Sequence, residues 1–133
     1  MSKACEKTLS DANMDSSEID LIVPHQANLR IIESLTKRMG ASKENVFINI
    51  HRYGNMSAAT APVALVEAIE EGRISDGDNV LMPAFGGGLT WSAHLIKWRG
   101  NNVPANKSEV DLPPCENTAL EIVNALRAVK NKK

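Results

Sequence analysis

Three short strings carry the residue types that could do chemistry: Pro24-His25-Gln26-Ala27-Asn28, Tyr53-Gly54-Asn55-Met56-Ser57 and Phe85-Gly86-Gly87-Gly88. A histidine directly behind a strand, at the mouth of the next helix, stands where open α/β sheets place ligands, beyond the carboxyl ends of the strands. The same His25 is compatible with helix capping or simple burial. Asn55, following a glycine at a strand-to-helix junction, could aim its amide into the same cleft, or serve as an ordinary helix N-cap. Three consecutive glycines let a backbone pass close to a substrate and turn N–H groups toward a developing oxyanion; they also suit a bare hairpin corner. The triplet lacks the Gly-x-Gly-x-x-Gly spacing and the lysine of nucleotide loops, which disfavours nucleotide binding.

The elements that must position these strings follow from periodicity. Ala4, Cys5, Thr8, Leu9 and Ala12 recur at helical spacing across residues 2–13. After the Asp15-Ser16-Ser17 turn, Ile19–Val23 reads as a buried β-branched strand ending at Pro24. From Asn28 the period is helical again, with Leu29, Ile32, Leu35 and Met39 on one stripe and Gly40 as a left-handed stop. Val46–Ile50 is expected to be a second strand, followed by a polar turn over 52–57 and a helix from about Ser57 to Glu71, closed by Gly72. Pro62 should remove a backbone hydrogen bond and kink that helix near its first turn. Val80–Ala84 and Leu89–Trp98 complete the pattern as strands about the glycine corner. Strands alternating with helices predict a mixed, mostly parallel sheet flanked by helices, with an antiparallel pair at its edge. Each chemical string then lies immediately behind a strand of one sheet, so the three should converge.

Composition removes several function classes. The 133 residues carry 15 basic and 16 acidic side chains, for a net charge of −1, and 43% are apolar. That balance argues against a nucleic-acid binder with a basic surface, and the few aromatics (Phe47, Tyr53, Phe85, Trp91, Trp98) argue against an RNA-stacking platform. No apolar run approaches the roughly 20 residues of a membrane helix, and the first residues lack the order of a signal peptide, so a cytoplasmic setting is expected. Cys5 and Cys115 can build neither a disulfide framework nor a four-cysteine zinc site, and no metal or cofactor is expected. Residues 100–116, rich in Gly, Asn and Pro, read as a linker. Residues 117–133 read as an amphipathic helix (Leu120, Ile122, Val123, Leu126, Val129) or a loosely ordered extension.

The strings Val23–Ile32, Arg52–Ala59 and Ala84–Trp91 resemble the C-terminal half of β-ketoacyl-acyl carrier protein synthase III, the initiating condensing enzyme of type II fatty-acid synthesis. The likeness runs in register from about residue 1 to 98. It implies a thiolase-like layered α/β fold, with residues 1–99 as the C-terminal half-domain. It also implies that His25 and Asn55 are the catalytic histidine and asparagine. These would hold the thioester oxygen on which charge builds as a malonyl group loses carbon dioxide. Neutral N–H donors suit that task, because they stabilise the enolate without delivering a proton that would quench it. By the same resemblance Gly87 offers a backbone N–H to the oxyanion of acyl transfer, Phe85 packs beside the active groups, and Asn28 lies along the pantetheine route. Gln26, Ala27, Asn28, Leu29 and Arg30 would contact the acyl carrier protein, with Lys37 and Arg38 extending a basic face suited to an acidic partner. Acyl-CoA and malonyl thioesters are the implied substrates.

The chain departs from that family in length and in its nucleophile. Members are more than twice as long, and their N-terminal half supplies the acyl-carrying cysteine. Cys5 sits on an amphipathic helix and reads as a small buried hydrophobe, while Cys115 lies in the Pro-rich segment beside Glu116, whose charge would raise a thiol's pKa. Neither is expected to be the nucleophile. The chain should therefore be inactive alone and should need a missing N-terminal half, or self-association, to cover its exposed edge and apolar faces. His51 and His94 receive no role. Two alternatives stay open: half of another thiolase-fold synthase, such as a polyketide-starter enzyme, and a non-catalytic fragment that binds carrier protein.

Overall fold

The structure, a computed structural model, describes residues 1–100 and 116–130, in two compact units divided near residue 103. Residues 101–115 of the predicted linker, Cys115 among them, lie outside the described residues, as do residues 131–133.

Helix α1 (Ser2–Asp11) buries Cys5 and Leu9, four residues apart, and pairs Lys7 with Asp11 at 2.8 Å on its exposed side. A short 3-10 turn follows, closed by a reciprocal capping box between Asp15 and Glu18. Strand β1 (Leu21–Ile22) runs parallel to β2 (Asn79–Gly86), pairing Leu21 with Val80 and Ile22 with Leu81. The backbone bonds extend further than the strand itself, from Asp20 N–H to Asn79 O (3.1 Å) as far as His25 N–H to Pro83 O (2.8 Å). Strand β3 (Thr90–Lys97) pairs antiparallel with β2 from Asn79–Lys97 to Gly86–Thr90, so β2 is central in the mixed sheet. The corner between β2 and β3 places Leu89, rather than a glycine, in the left-handed region, at φ 52°.

Alternation along the strands sends side chains to both faces. On one face Ile22 and Leu81 pack with Cys5, Leu9, Ile32, Leu35 and Met39, covered by α1 and by α2 (Leu29–Met39). On the other, Leu21, Val23 and Val80 pack with Phe47, Ala64 and Ala68 under a helix at Thr60–Glu70. Both faces are covered, which is why Leu21–Val23 is an unbroken apolar run.

The expected strand over 46–50 is corrected. It contributes one parallel bridge, Val46 to Ile22, and then turns into a single helical turn, α3 (Ile50–Tyr53). The cause is Gln26. Its buried carboxamide donates to Phe47 O at 3.1 Å and accepts from Asn49 N–H at 3.1 Å and Ile50 N–H at 3.2 Å, taking the groups a strand would have offered a neighbour. The hydrogen bond expected to be lost at Pro62 is not lost either. Helix α4 (Thr60–Glu70) follows a 3-10 turn at Ser57–Ala59, and Pro62 is its third residue, where a backbone N–H has no intrahelical partner to lose.

In the second unit, α5 (Ala119–Lys130) starts with Thr118 and Glu121 bonded reciprocally, Glu121 accepting from the Thr118 hydroxyl at 2.8 Å and donating its N–H to it at 3.3 Å. Leu120, Ile122 and Val123 are exposed.

Candidate active site

The three strings meet at the carboxyl ends of β1 and β2. His25 continues the extended chain behind β1, and its backbone is tied to the central strand through Pro83 O. Its side chain is 9% exposed. Nδ1 is hydrogen-bonded to the Thr60 hydroxyl, and the ring meets Phe85 edge to face, with centroids 5.5 Å apart at 77°. Burial holds the imidazole below the ordinary histidine pKa of 6.5, so the ring is neutral at pH 7. Nε2 has no partner among the described residues.

Asn55 reaches the same place from the other side. Gly54 adopts φ 66° and ψ −156°, a conformation open essentially to glycine, and this reverses the chain after α3. Asn55 Oδ1 accepts the Ser57 N–H at 2.9 Å. Its Nδ2 makes only a 3.5 Å contact to Ala27 O, at the limit of a hydrogen bond, which leaves donor capacity on the amide. Phe85, Gly86 and Gly87 close the third side. Together these residues line an open cleft of about 720 Å³. A Cβ on Gly86 would fall 2.9 Å from Thr90 Oγ1, whereas one on Gly87 would meet nothing within 4 Å. Internal packing thus explains the glycine at 86 and not the one at 87.

The α2 residues divide. Asn28 caps the helix by accepting the Arg30 N–H at 2.9 Å and does not line the cleft. Leu29, Arg30, Lys37 and Arg38 are exposed and Ala27 is half-buried. Arg30 and Arg38, which form no ion pair among the described residues, border a second groove of about 410 Å³ with Ile31, Leu35, Leu89 and Trp91. Leu89 and Trp91 are 85% and 59% exposed there. Gln26 departs from the expectation of a carrier contact. It is fully buried, with both amide donors and its oxygen engaged by backbone, so its side chain presents nothing to a partner.

Cys5 is buried, and burial pushes its thiol up to about 11, which leaves it without thiolate at neutral pH. His51 and His94 are exposed and lie outside the cleft. Among the described residues there is no group of His, Cys, Asp and Glu that could hold a metal, and no helix long and apolar enough to cross a membrane.

Sequence reading passed over Thr60 and misjudged Gln26. Thr60 is fully buried at the start of α4, and its hydroxyl is shared by His25, Gln26 and Ser57. The one available signal was a lone hydroxyl in an alanine-rich helix start, three residues after Ser57.

Residues 9–98 match the family model described as 3-oxoacyl-[acyl-carrier-protein (ACP)] synthase III C terminal. The beta-ketoacyl-[acyl-carrier-protein] synthase III 2 of Vibrio cholerae is 46% identical over 124 residues, 93% of this chain and 34% of that protein. A match of that length necessarily takes in residues beyond 100. The beta-ketoacyl-[acyl-carrier-protein] synthase III of Natranaerobius thermophilus is 57% identical over 93 residues, 70% of this chain and 28% of that protein. Among solved structures, the 3-oxoacyl-[acyl-carrier-protein] synthase III of Aquifex aeolicus superposes with a TM-score of 0.73 at 49% identity, covering 74% of this chain and 32% of that one. The chain thus spans about a third of the length of the curated relatives it matches.

Proposed function

The chain belongs to the 3-oxoacyl-[acyl-carrier-protein] synthase III family, and from that premise we propose that it supplies the C-terminal catalytic part of an initiating condensing enzyme. The observation that carries this reading is the convergence of His25, Asn55, Phe85 and Gly87 on one cleft, with the histidine neutral. In the proposed reaction a malonyl thioester on acyl carrier protein loses carbon dioxide. The bond from the α-carbon to the carboxylate breaks, and its electron pair passes into an enolate whose negative charge rests on the thioester oxygen. An N–H on His25 Nε2 and one on Asn55 Nδ2 donate to that oxygen. An imidazolium would instead offer the nascent carbanion a proton, so the desolvated ring suits the donor task. The enolate carbon then attacks an acyl thioester derived from acyl-CoA. The Gly87 N–H faces the resulting oxyanion before the enzyme thiolate departs.

The nucleophile is proposed to come from a segment other than these 133 residues. Cys5 is buried with its thiol protonated, on the far side of the sheet from α4. The exposed Arg30, Lys37 and Arg38 fit an acidic carrier protein. The groove at Leu89 and Trp91 fits cover by the remainder of a synthase polypeptide or by a second copy. A cytoplasmic setting belongs to the same reading.

The test is to join the chain to the cysteine-bearing part of a synthase III and assay condensation on malonyl-carrier protein. Full activity is expected in the joined protein and none in the chain alone. His25→Ala and Asn55→Ala should each lower turnover by roughly 100- to 1,000-fold, the worth of one oxyanion donor. Condensation by the unjoined chain, or indifference to both substitutions, would overturn the assignment.

A further inference from the structure

We propose that Thr60 is a positioning residue for His25: its hydroxyl donates to Nδ1 and so keeps the imidazole proton on Nε2, the nitrogen free to act in the cleft. The inference rests on the donor role proposed for His25 and deepens it. Thr60 Oγ1 meets three groups. The Gln26 N–H, 3.2 Å away, can only donate to it. Ser57 O, at 3.1 Å, can only accept. His25 Nδ1 can do either. A hydroxyl has one proton, so its direction and the histidine tautomer are locked together. If the proton points to Ser57 O, Nδ1 must carry the imidazole hydrogen, and Nε2 becomes a lone pair unable to donate to an enolate oxygen. If it points to Nδ1, the hydrogen resides on Nε2.

Both settings keep Thr60 bonded to His25 Nδ1, and only the sense of that bond differs. Ser57 O already receives the backbone N–H of Thr60 and has no need of the hydroxyl. Nδ1 has no other partner among the described residues. The donor chemistry selects the second setting. Ser57 itself is held at φ 57° by the bond from its N–H to Asn55 Oδ1. The loop that aims the asparagine therefore also fixes the residue that aims the histidine.

The experiment is long-range proton–nitrogen NMR on the full chain with ¹⁵N-labelled histidine, at about pH 8, above the ordinary histidine value near 6.5. His25→Asn assigns the His25 signals, and the exposed His51 and His94 serve as internal references for an unconstrained ring. His25 is expected in a single tautomer protonated on Nε2. Thr60→Val should replace it with a mixture approaching that of His51 and His94, and Thr60→Ser should restore it. Thr60→Ala gives the same reading if the valine variant does not fold. An unchanged Nε2–H tautomer in the folded Val or Ala variant would overturn the role of Thr60 and leave the donor role of His25 standing. A wild-type ring protonated on Nδ1 would overturn both.

Discussion

Replacing Gln26 by Leu should unseat the segment that holds the cleft, and its size can be worked from four contacts. Gln26 Nε2 donates to Pro24 O at 2.8 Å and to Phe47 O at 3.1 Å, and Oε1 accepts from the N–H groups of Asn49 and Ile50 at 3.1 and 3.2 Å. Leucine has nearly the same volume and strands all four backbone groups. At roughly 1 kcal/mol for each net hydrogen bond the loss is about 4 kcal/mol. The apolar surface gained returns about 1 kcal/mol, leaving about 3 kcal/mol of destabilisation. For a urea m-value of about 1.5 kcal/mol per molar this lowers the unfolding midpoint by about 2 M. Urea titration followed by circular dichroism reads that shift, and hydrogen exchange should find the Asn49 and Ile50 amides unprotected. Gln26→Glu sharpens the argument. A carboxylate cannot donate, and it would face the Pro24 and Phe47 carbonyls, so its folded pKa must rise above the unfolded value near 4.3. A group of that kind stabilises the fold below its unfolded pKa, and the contribution disappears as pH rises through the folded one. The Glu variant should therefore lie closer to wild type at about pH 4 than at about pH 8. A Leu variant within about 0.5 kcal/mol of wild type, or a Glu variant equally unstable at both pH values, would refute this role for Gln26.

Other expectations come from the same structure. Gly54→Ala forces a side chain into φ 66°, ψ −156° and should cost about 1–3 kcal/mol in thermal or urea unfolding. Gly87→Ala, with open space for its Cβ and no positive φ, should change stability by less than about 0.5 kcal/mol. Equal effects from the two glycines would remove the distinction drawn between them. Burial lowers the pKa of His25 in the folded chain, so the unfolded chain binds the extra proton first. Relative to His25→Asn, wild-type stability should decline as pH falls below about 6.5, and pH-dependent unfolding checks the sign. Cys5, raised to about 11 by burial, should resist alkylation at neutral pH until the chain unfolds, as peptide mass mapping with and without urea would show.

The covered sheet and its helices were legible because local signals agree with the tertiary environment. The unbroken run Leu21–Val23 reported a strand buried on both faces, and Gly40 adopts the left-handed stop anticipated for α2. The segment 46–50 misled. Its apolar spacing suits a strand, and nothing local reveals that the Gln26 carboxamide, more than 20 residues away, captures its backbone. Pro62 misled for a smaller reason, since its effect depends on which residue begins the helix, a boundary set by the 3-10 turn before it.

By itself the sequence determined which side chains could do chemistry, the family to which their strings point, and that each string lies just behind a strand. Those properties reside in residue types, short-range spacing and periodicity. Tertiary structure decided which partners the side chains meet. It withdrew Gln26 from the surface and set a hydroxyl against His25 Nδ1 from a helix 35 residues along the chain. Burial sets the charge of that histidine, and the direction of one hydroxyl proton sets which of its nitrogens can donate. Both depend on groups that become neighbours only when the chain has folded.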